Sequence, residues 1–197
     1  MRLNEIEDRI KSILNIAPHS LFEVENKYSG IEGLSRTAAV LIIIHCKHHI
    51  PHILLTKRSS RLKSHTGEIS FPGGQYSPSE DLNLLDTALR ETNEEIGLRF
   101  RPENIRGRLK SVHTLTSNFT IVPFVALRKH IPEPKIFTNE VEDIIDIPLQ
   151  DTLASYQLDI EHYHISQQEV YKFAYRGITI WGATARILKQ LYDNLAA

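Results

Sequence analysis

The sequence predicts an α/β domain, and three observations predict it. Residues 37–45 form a β-branched, apolar run of strand length; residues 81–96 repeat apolar side chains at helical spacing and stop at Gly97; residues 182–195 repeat that helical pattern at the carboxyl end. At 197 residues the chain fits one domain with a core of its own. We expect a helical extension over 1–30 and a core over about 37–195.

The elements follow in chain order. Leu3, Ile6, Ile10, Ile13 and Leu14 recur at helical spacing, so the chain opens with an amphipathic helix that ends before Pro18 and packs as a flank. A polar, glycine-bearing stretch, 23–36, leads to the apolar strand. Its partner is 53–56, and CKHHIPH between them, with Pro51, is the hairpin connection. A loop rich in Ser, Lys, Arg and Gly, 57–67, precedes a short strand, 68–71, that stops at Pro72, Gly73 and Gly74. The helix over 81–96 turns Leu85, Ala88, Leu89, Thr92 and Ile96 inward, with Gly97 as its stop. Strands are expected at 109–115 and 120–127, then a loop carrying HIPEPK, then a hairpin of 161–165 with 170–174. In the closing helix Ile187, Leu188, Leu191, Tyr192 and Leu195 share a face, and Trp181 and Tyr192 read as packing residues.

Composition excludes several classes. Lys plus Arg number 23 and Asp plus Glu 24, a net charge of −1, which lacks the basic excess on which nonspecific binding to nucleic-acid polymers rests. A single cysteine, Cys46, admits neither an internal disulfide nor a cysteine-built zinc site, and fits a reducing, cytoplasmic setting. The longest apolar run, 38–44, falls far short of the ~20 residues of a membrane span, so no membrane partner is expected. Glu5, Glu7 and Asp8 are out of place in a signal or transit peptide.

The chemistry is concentrated just before Gly97. Glu91, Glu94 and Glu95 stand at i, i+3 and i+4, which puts three carboxylates within about one turn of helix. Like charges so placed cost about 0.2–0.5 kcal/mol per pair, and the carboxyl half of a helix disfavours anions further. The cluster is therefore either a solvated acidic face or a site held by positive charge. Arg90 supplies part of that charge, and hard oxygen donors are what Mg2+ or Mn2+ takes, particularly where a phosphate completes the coordination. Upstream, Phe71, Pro72, Gly73 and Gly74 end a strand on paired glycines, which let backbone groups approach a ligand or metal closely.

Read as one stretch, GGQYSPSEDLNLLDTALRETNEEIGL, 73–98, resembles the Nudix box, the signature of hydrolases that cleave a nucleoside diphosphate linked to another group. Arg90, Glu91, Glu94, Glu95 and Gly97 fall on the family's fixed positions. Two departures mark this chain. Nine residues rather than the usual seven separate Glu80 from Arg90, which leaves the first acidic role to Glu80 or Asp81, with Asp81 also a candidate helix N-cap. Thr92 stands where a bulky aliphatic is usual. LLTKRSSRLKSHTGEISFPGG, 54–74, resembles the stretch that precedes the box in coenzyme A pyrophosphatases of the superfamily, which share the longer loop. Segments 139–149 and 178–188 resemble the same subfamily.

That resemblance implies a single Nudix-type α/β/α sandwich with a mixed β-sheet between helices. It implies Mg2+- or Mn2+-dependent cleavage of coenzyme A or an acyl or oxidised derivative to 4′-phosphopantetheine and adenosine 3′,5′-bisphosphate. The alternatives are hydrolysis of another nucleoside diphosphate derivative, such as NADH or ADP-ribose, and a silent nucleotide-binding module. By resemblance Glu91, Glu94 and Glu95 are metal ligands, joined by the Gly74 carbonyl and by Glu68 as a ligand or its support. Arg90 orients the carboxylates, and Glu140, with Glu142 behind it, is the candidate to take the proton of water. A homodimer is compatible with the family. Lys57, Arg58, Arg61 and Lys63 form a basic stretch suited to a substrate with an extra 3′-phosphate, and His65 is a candidate phosphate contact. His45, His48, His49 and His52 suggest a metal site, but alternation along a hairpin should disperse them, so we expect a surface loop.

Overall fold

Alternation in strand β1 (Thr37–Lys47) sends Val40, Ile42 and Ile44 into one apolar layer and Ala39, Leu41 and Ile43 into another. Such a strand has to lie mid-sheet with both faces covered. The computed structural model describes residues 2–14, 36–61, 66–114, 118–159 and 170–196. β1 runs antiparallel to β2 (Ile50–Arg58) and parallel to β7 (Thr120–Arg128), so the sheet is mixed. β5 (Ile105–Arg108) and β6 (Val112–His113) pair with β7, and β8 (Val141–Pro148) pairs with β2. Helix α2 (Leu84–Ile96) covers one face through Leu84, Leu85, Ala88 and Ile96. The other face is covered by α1 (Leu3–Leu14), α3 (Leu149–Ala154) and α4 (Gly182–Ala196). Against it also packs a small sheet of β9 (Tyr156–Leu158), β10 (Tyr171–Tyr175) and β11 (Ile178–Ile180). This is the mixed sheet between helices that the sequence predicts, with α1 docked as a flank by fully buried Ile6.

β2 keeps company with β1 only as far as the pair Ile43 and Leu54, then passes to β3 (Ile69–Ser70). The opening between β1 and β2 is filled by the chain that follows β3. Leu41 donates its N–H to the Pro72 carbonyl at 2.8 Å, and β4 (Gly73–Gln75) pairs with Ala38, Ala39 and Val40. Gly73 and Gly74, expected only to end the preceding strand, thus form a strand themselves. Gly73 sits at φ 148°, and a side chain there would strike the Ala39 carbonyl and Val40, so glycine is required by close packing as well as by conformation.

Other expectations shift. Pro51 is not in the hairpin turn but in β2, opposite Cys46 near the start of the strand, where a missing N–H is tolerated. Of the described residues in the strand expected at 109–115 only Val112–His113 (β6) is strand, and β5 precedes it where none was expected, its register with β7 slipping at Gly107, which sits at φ 152°. β8, β9, β11 and α3 were not read from periodicity at all. Trp181 is half exposed at the junction of β11 and α4 and does not pack in the core, whereas Tyr192 stacks on Tyr156 at 5.3 Å. The expected strand 161–165, most of the polar stretch 23–36, Leu115 and the side chains of Ile10, Ile13 and Leu14 lie outside the described residues. Among the described residues no helix is long and apolar enough to cross a membrane.

The β1–β2 turn consists of His48 and His49, both with positive φ (50° and 65°), as a tight two-residue hairpin requires. That register sets His45 opposite His52 on one face, so alternation does not disperse these two; only His48 and His49 are surface residues. Both rings meet Oδ1 of Asp146, His45 Nε2 at 3.0 Å and His52 Nδ1 at 2.9 Å, while Lys47 Nζ donates to Oδ2 at 2.9 Å. Burial pushes the Asp146 carboxyl up, but the hydrogen bonds from His45, Lys47 and His52 outweigh it and hold the group well below the usual range. A depressed acid favours folding above the ~3.9 of an unfolded aspartate and withdraws that support as pH falls further. Asp146→Asn should cost about 2 kcal/mol at pH 7 and flatten the loss of stability between about pH 4 and pH 2. Urea unfolding across that range checks this, and parallel curves for the two proteins would refute it.

Candidate functional site

Asn83 caps α2, accepting the Asp86 N–H on its side chain at 2.9 Å, and Gly97 ends it in the left-handed conformation with φ 69°. The helix therefore starts at Leu84, and Asp81 is not its cap. Asp81 instead lies beneath the helix with its side chain fully buried and receives Arg90 on both oxygens, Nε to Oδ1 at 2.8 Å and Nη2 to Oδ2 at 3.0 Å. Thr87 Oγ1 and the Ser77 N–H also donate to it. Burial pushes the Asp81 carboxyl up, but the Arg90 hydrogen bond and these donors bring it below its ordinary value. Of the two candidates for the first acidic position, exposed Glu80 stands aside and Asp81 pairs with Arg90. Thr92, the other departure, is fully buried with its hydroxyl donating to the Ala88 carbonyl at 2.6 Å, so it packs without an unpaired polar atom.

Anchored from below, Arg90 offers Nη1 to Glu91 and Glu94, 3.0 Å from each carboxylate. Glu95 turns the other way, into the protein, and accepts the Gly73 N–H at 3.2 Å. Glu91 lies against Gly74, where a Cβ would come within 2.5 Å of its carboxyl carbon. Burial pushes the Glu91 carboxyl up despite Arg90. Glu95 is pushed up to about 8, by burial first and then by the charges of Glu91 and Glu140. A buried Glu95 and a partly buried Glu91 that both resist ionisation would be relieved by a further positive charge, and with Glu94 and Gly74 they offer hard oxygen donors suited to Mg2+ or Mn2+. The set is open: among the described residues no three His, Cys, Asp or Glu side chains are placed to enclose an ion by themselves. Oxygens of water or a bound phosphate have to complete any shell.

The facing wall comes from the end of β2 and the loop before β8. Between Lys57 and Arg58 the pairing with β8 slips by a residue. Arg58 donates its backbone N–H to the Glu68 carbonyl at 2.9 Å, points Nη2 to Glu140 at 3.9 Å, and bears on Glu95 electrostatically. Lys57 turns to Glu142 at 3.0 Å. That bond, with the Ser60 N–H, holds Glu142 below its ordinary value. Glu140 is more than half exposed, and its backbone is pinned by the Ser59 N–H at 2.7 Å. Beside it opens a cavity of about 410 Å3 lined by Ser59, Ser60, Arg61, Ile136 and Thr138.

Of the residues singled out in the sequence, Glu91, Glu94, Glu95, Gly74, Arg90, Arg58 and Glu140 gather around one opening. Lys57 is turned aside to Glu142, Arg61 lines the neighbouring cavity, half-buried Glu68 takes part through its backbone, and Lys63 and His65 lie outside the described residues. One contribution escaped sequence reasoning. Lys135 and Phe137 donate backbone N–H groups to the Ile96 and Glu95 carbonyls at 3.0 and 3.1 Å, and the Phe137 ring lies on Gly97. This clamp satisfies the open carboxyl end of α2, and its signal was HIPEPK, whose prolines favour extended chain.

The Nudix domain, as a sequence family, matches residues 34–168. A Nudix hydrolase NudL of Yersinia enterocolitica is 35% identical over 183 residues, 89% of this chain and 90% of that protein. A NudL of Photorhabdus laumondii is 37% identical over 166 residues, 82% of this chain and 86% of that protein. In three dimensions the chain is similar to a NUDIX hydrolase from Alicyclobacillus acidocaldarius, with TM-score 0.55 at 20% identity, covering 80% of this chain and 91% of that one. It is also similar to a MutT/nudix family protein from Enterococcus faecalis, with TM-score 0.59 at 12% identity, covering 92% and 74%. The structures agree on the fold, and the sequence matches extend that agreement over most of the chain: it belongs to the Nudix hydrolase family.

Proposed function

We propose that this hydrolase cleaves the diphosphate of coenzyme A or an acyl-CoA, with Mg2+ or Mn2+, to 4′-phosphopantetheine and adenosine 3′,5′-bisphosphate. The observation that carries the reaction class is the placing of Glu91 and Glu95 against Gly74 and Gly73, where burial leaves both carboxylates short of positive charge. The resemblance of 54–74 to coenzyme A pyrophosphatases supports the substrate. The lone Cys46 supports a cytoplasmic setting.

Glu91, Glu94, Glu95 and the Gly74 carbonyl would hold the cation, which supplies a Lewis acid to the diphosphate oxygens. Arg90 steers Glu91 and Glu94 while Asp81 keeps its guanidinium from swinging away. Glu140 takes the proton of the attacking water on its carboxylate. It is exposed, close enough for its charge to be felt by Glu91 and Glu95, and bound by Arg58 only at 3.9 Å, whereas Glu142 is committed to Lys57 and Ser60. Arg58 faces the negative charge that builds on the phosphate, and Arg61 reaches into the adjoining cavity where the rest of the substrate has room. Lys63 and His65 join them on the strength of the sequence, and Glu68 supports Arg58.

Purified protein should release adenosine 3′,5′-bisphosphate from coenzyme A, identified by mass, with loss of turnover in EDTA and return with Mg2+ or Mn2+; a higher kcat/KM for NADH or ADP-ribose would replace the substrate, and no turnover of any would leave a binding module. Glu140→Gln should lower kcat by about 10²- to 10⁴-fold with KM little changed, while Glu142→Gln stays within a few-fold of wild type; the reverse ranking would move the base to Glu142. Gly74→Ala should leave the melting temperature nearly unchanged, because the Glu91 side chain can swing aside, yet weaken the metal requirement by about 10- to 100-fold in half-saturating concentration. Unchanged metal dependence there would remove Glu91 and Gly74 from the ion's shell.

A further inference from the structure

A second charged cavity lies past the carboxyl end of α2. It measures about 410 Å3 and is lined by Arg99, Arg101, Asn104 and Arg128. Among the described residues none of these arginines has a carboxylate partner. Two of the side chains are nevertheless anchored: Arg99 Nε donates to Asn93 Oδ1 at 3.2 Å, and the Arg128 guanidinium lies over the ring of buried Phe100 at 5.7 Å. The Arg101 backbone N–H donates to Asn104 Oδ1 at 3.0 Å. The negative end of α2 accounts for one cation beyond Gly97 but not for three. In a chain whose acids outnumber its lysines and arginines by 24 to 23, three arginines lining one cavity with no acid in its lining is an arrangement that an anion completes. The planar fork of arginine matches phosphate oxygens two at a time. The volume falls in the ~300–1,000 Å3 range of small-molecule sites and exceeds what one inorganic ion needs.

The lining of this cavity shares no residue with the carboxylate cluster, and its Arg128 side lies away from Gly73. Arg128 is in register with His45 of β1, and Gly73 with Val40. Five steps along the strand separate Arg128 from Gly73, about 17 Å at ~3.3 Å per residue. We propose that the arginine cavity binds the phosphate groups of an organic phosphate, outside the metal site. The phosphate belongs either to the far end of a substrate or to a separate ligand.

The test is calorimetric titration of adenosine 3′,5′-bisphosphate into metal-free protein in EDTA at low salt, where the carboxylate cluster repels phosphate. Saturable binding is expected, about tenfold weaker in Arg101→Gln or Arg99→Gln and more than a hundredfold weaker with Arg128→Gln added to both. Absence of saturable heat with wild type, or equal affinity in the triple variant, overturns the proposal. Arg128 covers Phe100, so if the triple variant does not fold, exposed Arg101→Gln decides alone, and unchanged affinity there refutes the site. Hydrolysis by Arg101→Gln then separates the sources: a raised KM for coenzyme A beside an unchanged KM for its 3′-dephospho form assigns the phosphate to the substrate, and unchanged KM for both assigns it to a separate ligand. The calorimetric result stands whether or not coenzyme A is hydrolysed.

Discussion

The bidentate contact between Arg90 and Asp81 is the interaction on which the site depends. Three glutamates within about one turn, on the half of a helix that repels anions, form a patch that would scatter its side chains if left alone. Arg90 holds two of them, and it can do so only because its own direction is fixed by a carboxylate that is fully buried and hydrogen-bonded on several sides. Removing one partner of such a pair strands a charge in the interior, which is far costlier than losing an exposed ion pair. Asp81 is therefore a positioning residue that touches none of the glutamates yet decides where two of them point.

The same economy governs the backbone beneath the helix. Parting of β2 from β1 opens the middle of the sheet, and the glycine strand that enters pairs with β1 and meets helix α2. Gly73 meets Glu95 through its N–H, and Gly74 leaves room for the Glu91 carboxylate. A side chain at Gly74 would push Glu91 aside, and one at Gly73 would strike Ala39 and Val40 and force the glycine strand off β1. The split is thus what converts an acidic helix face into a binding site with a floor.

Much of this was legible in the sequence because it is local. The spacing of Glu91, Glu94 and Glu95 is a property of any helix, Gly97 announces its end, and the β-branched run of β1 cannot be anything but a buried strand. What escaped is long-range or of weak propensity. Paired glycines have little strand preference, so β4 exists only because β1 offers it an unpaired edge. The start of α2 was misplaced because Asp81, a good cap by type, is drawn instead to Arg90 nine residues on. β8 mixes charged and apolar residues, since one edge faces β2 and its Asp146 answers His45, and β1–β2 register put His45 and His52 together through a two-histidine turn that no Asn-Gly signal marks.

The wall opposite α2 shows how a register fault selects among similar residues. Lys57 and Arg58 are adjacent cations, and Glu140 and Glu142 are near-adjacent acids, so sequence alone treats either pairing as equal. The slip between Lys57 and Arg58 places Lys57 opposite Asp143 and Arg58 opposite Val141. Lys57 then closes on Glu142, and Arg58 is left facing Glu140 and Glu95. The Lys57–Glu142 pair is more than a third exposed at both ends, and such solvent-screened pairs contribute little to stability. Its consequence lies elsewhere: by occupying one cation and one acid it leaves Glu140 as the weakly paired carboxylate whose charge bears on Glu91 and Glu95, which is what favours Glu140 over Glu142 for the proposed proton-accepting role.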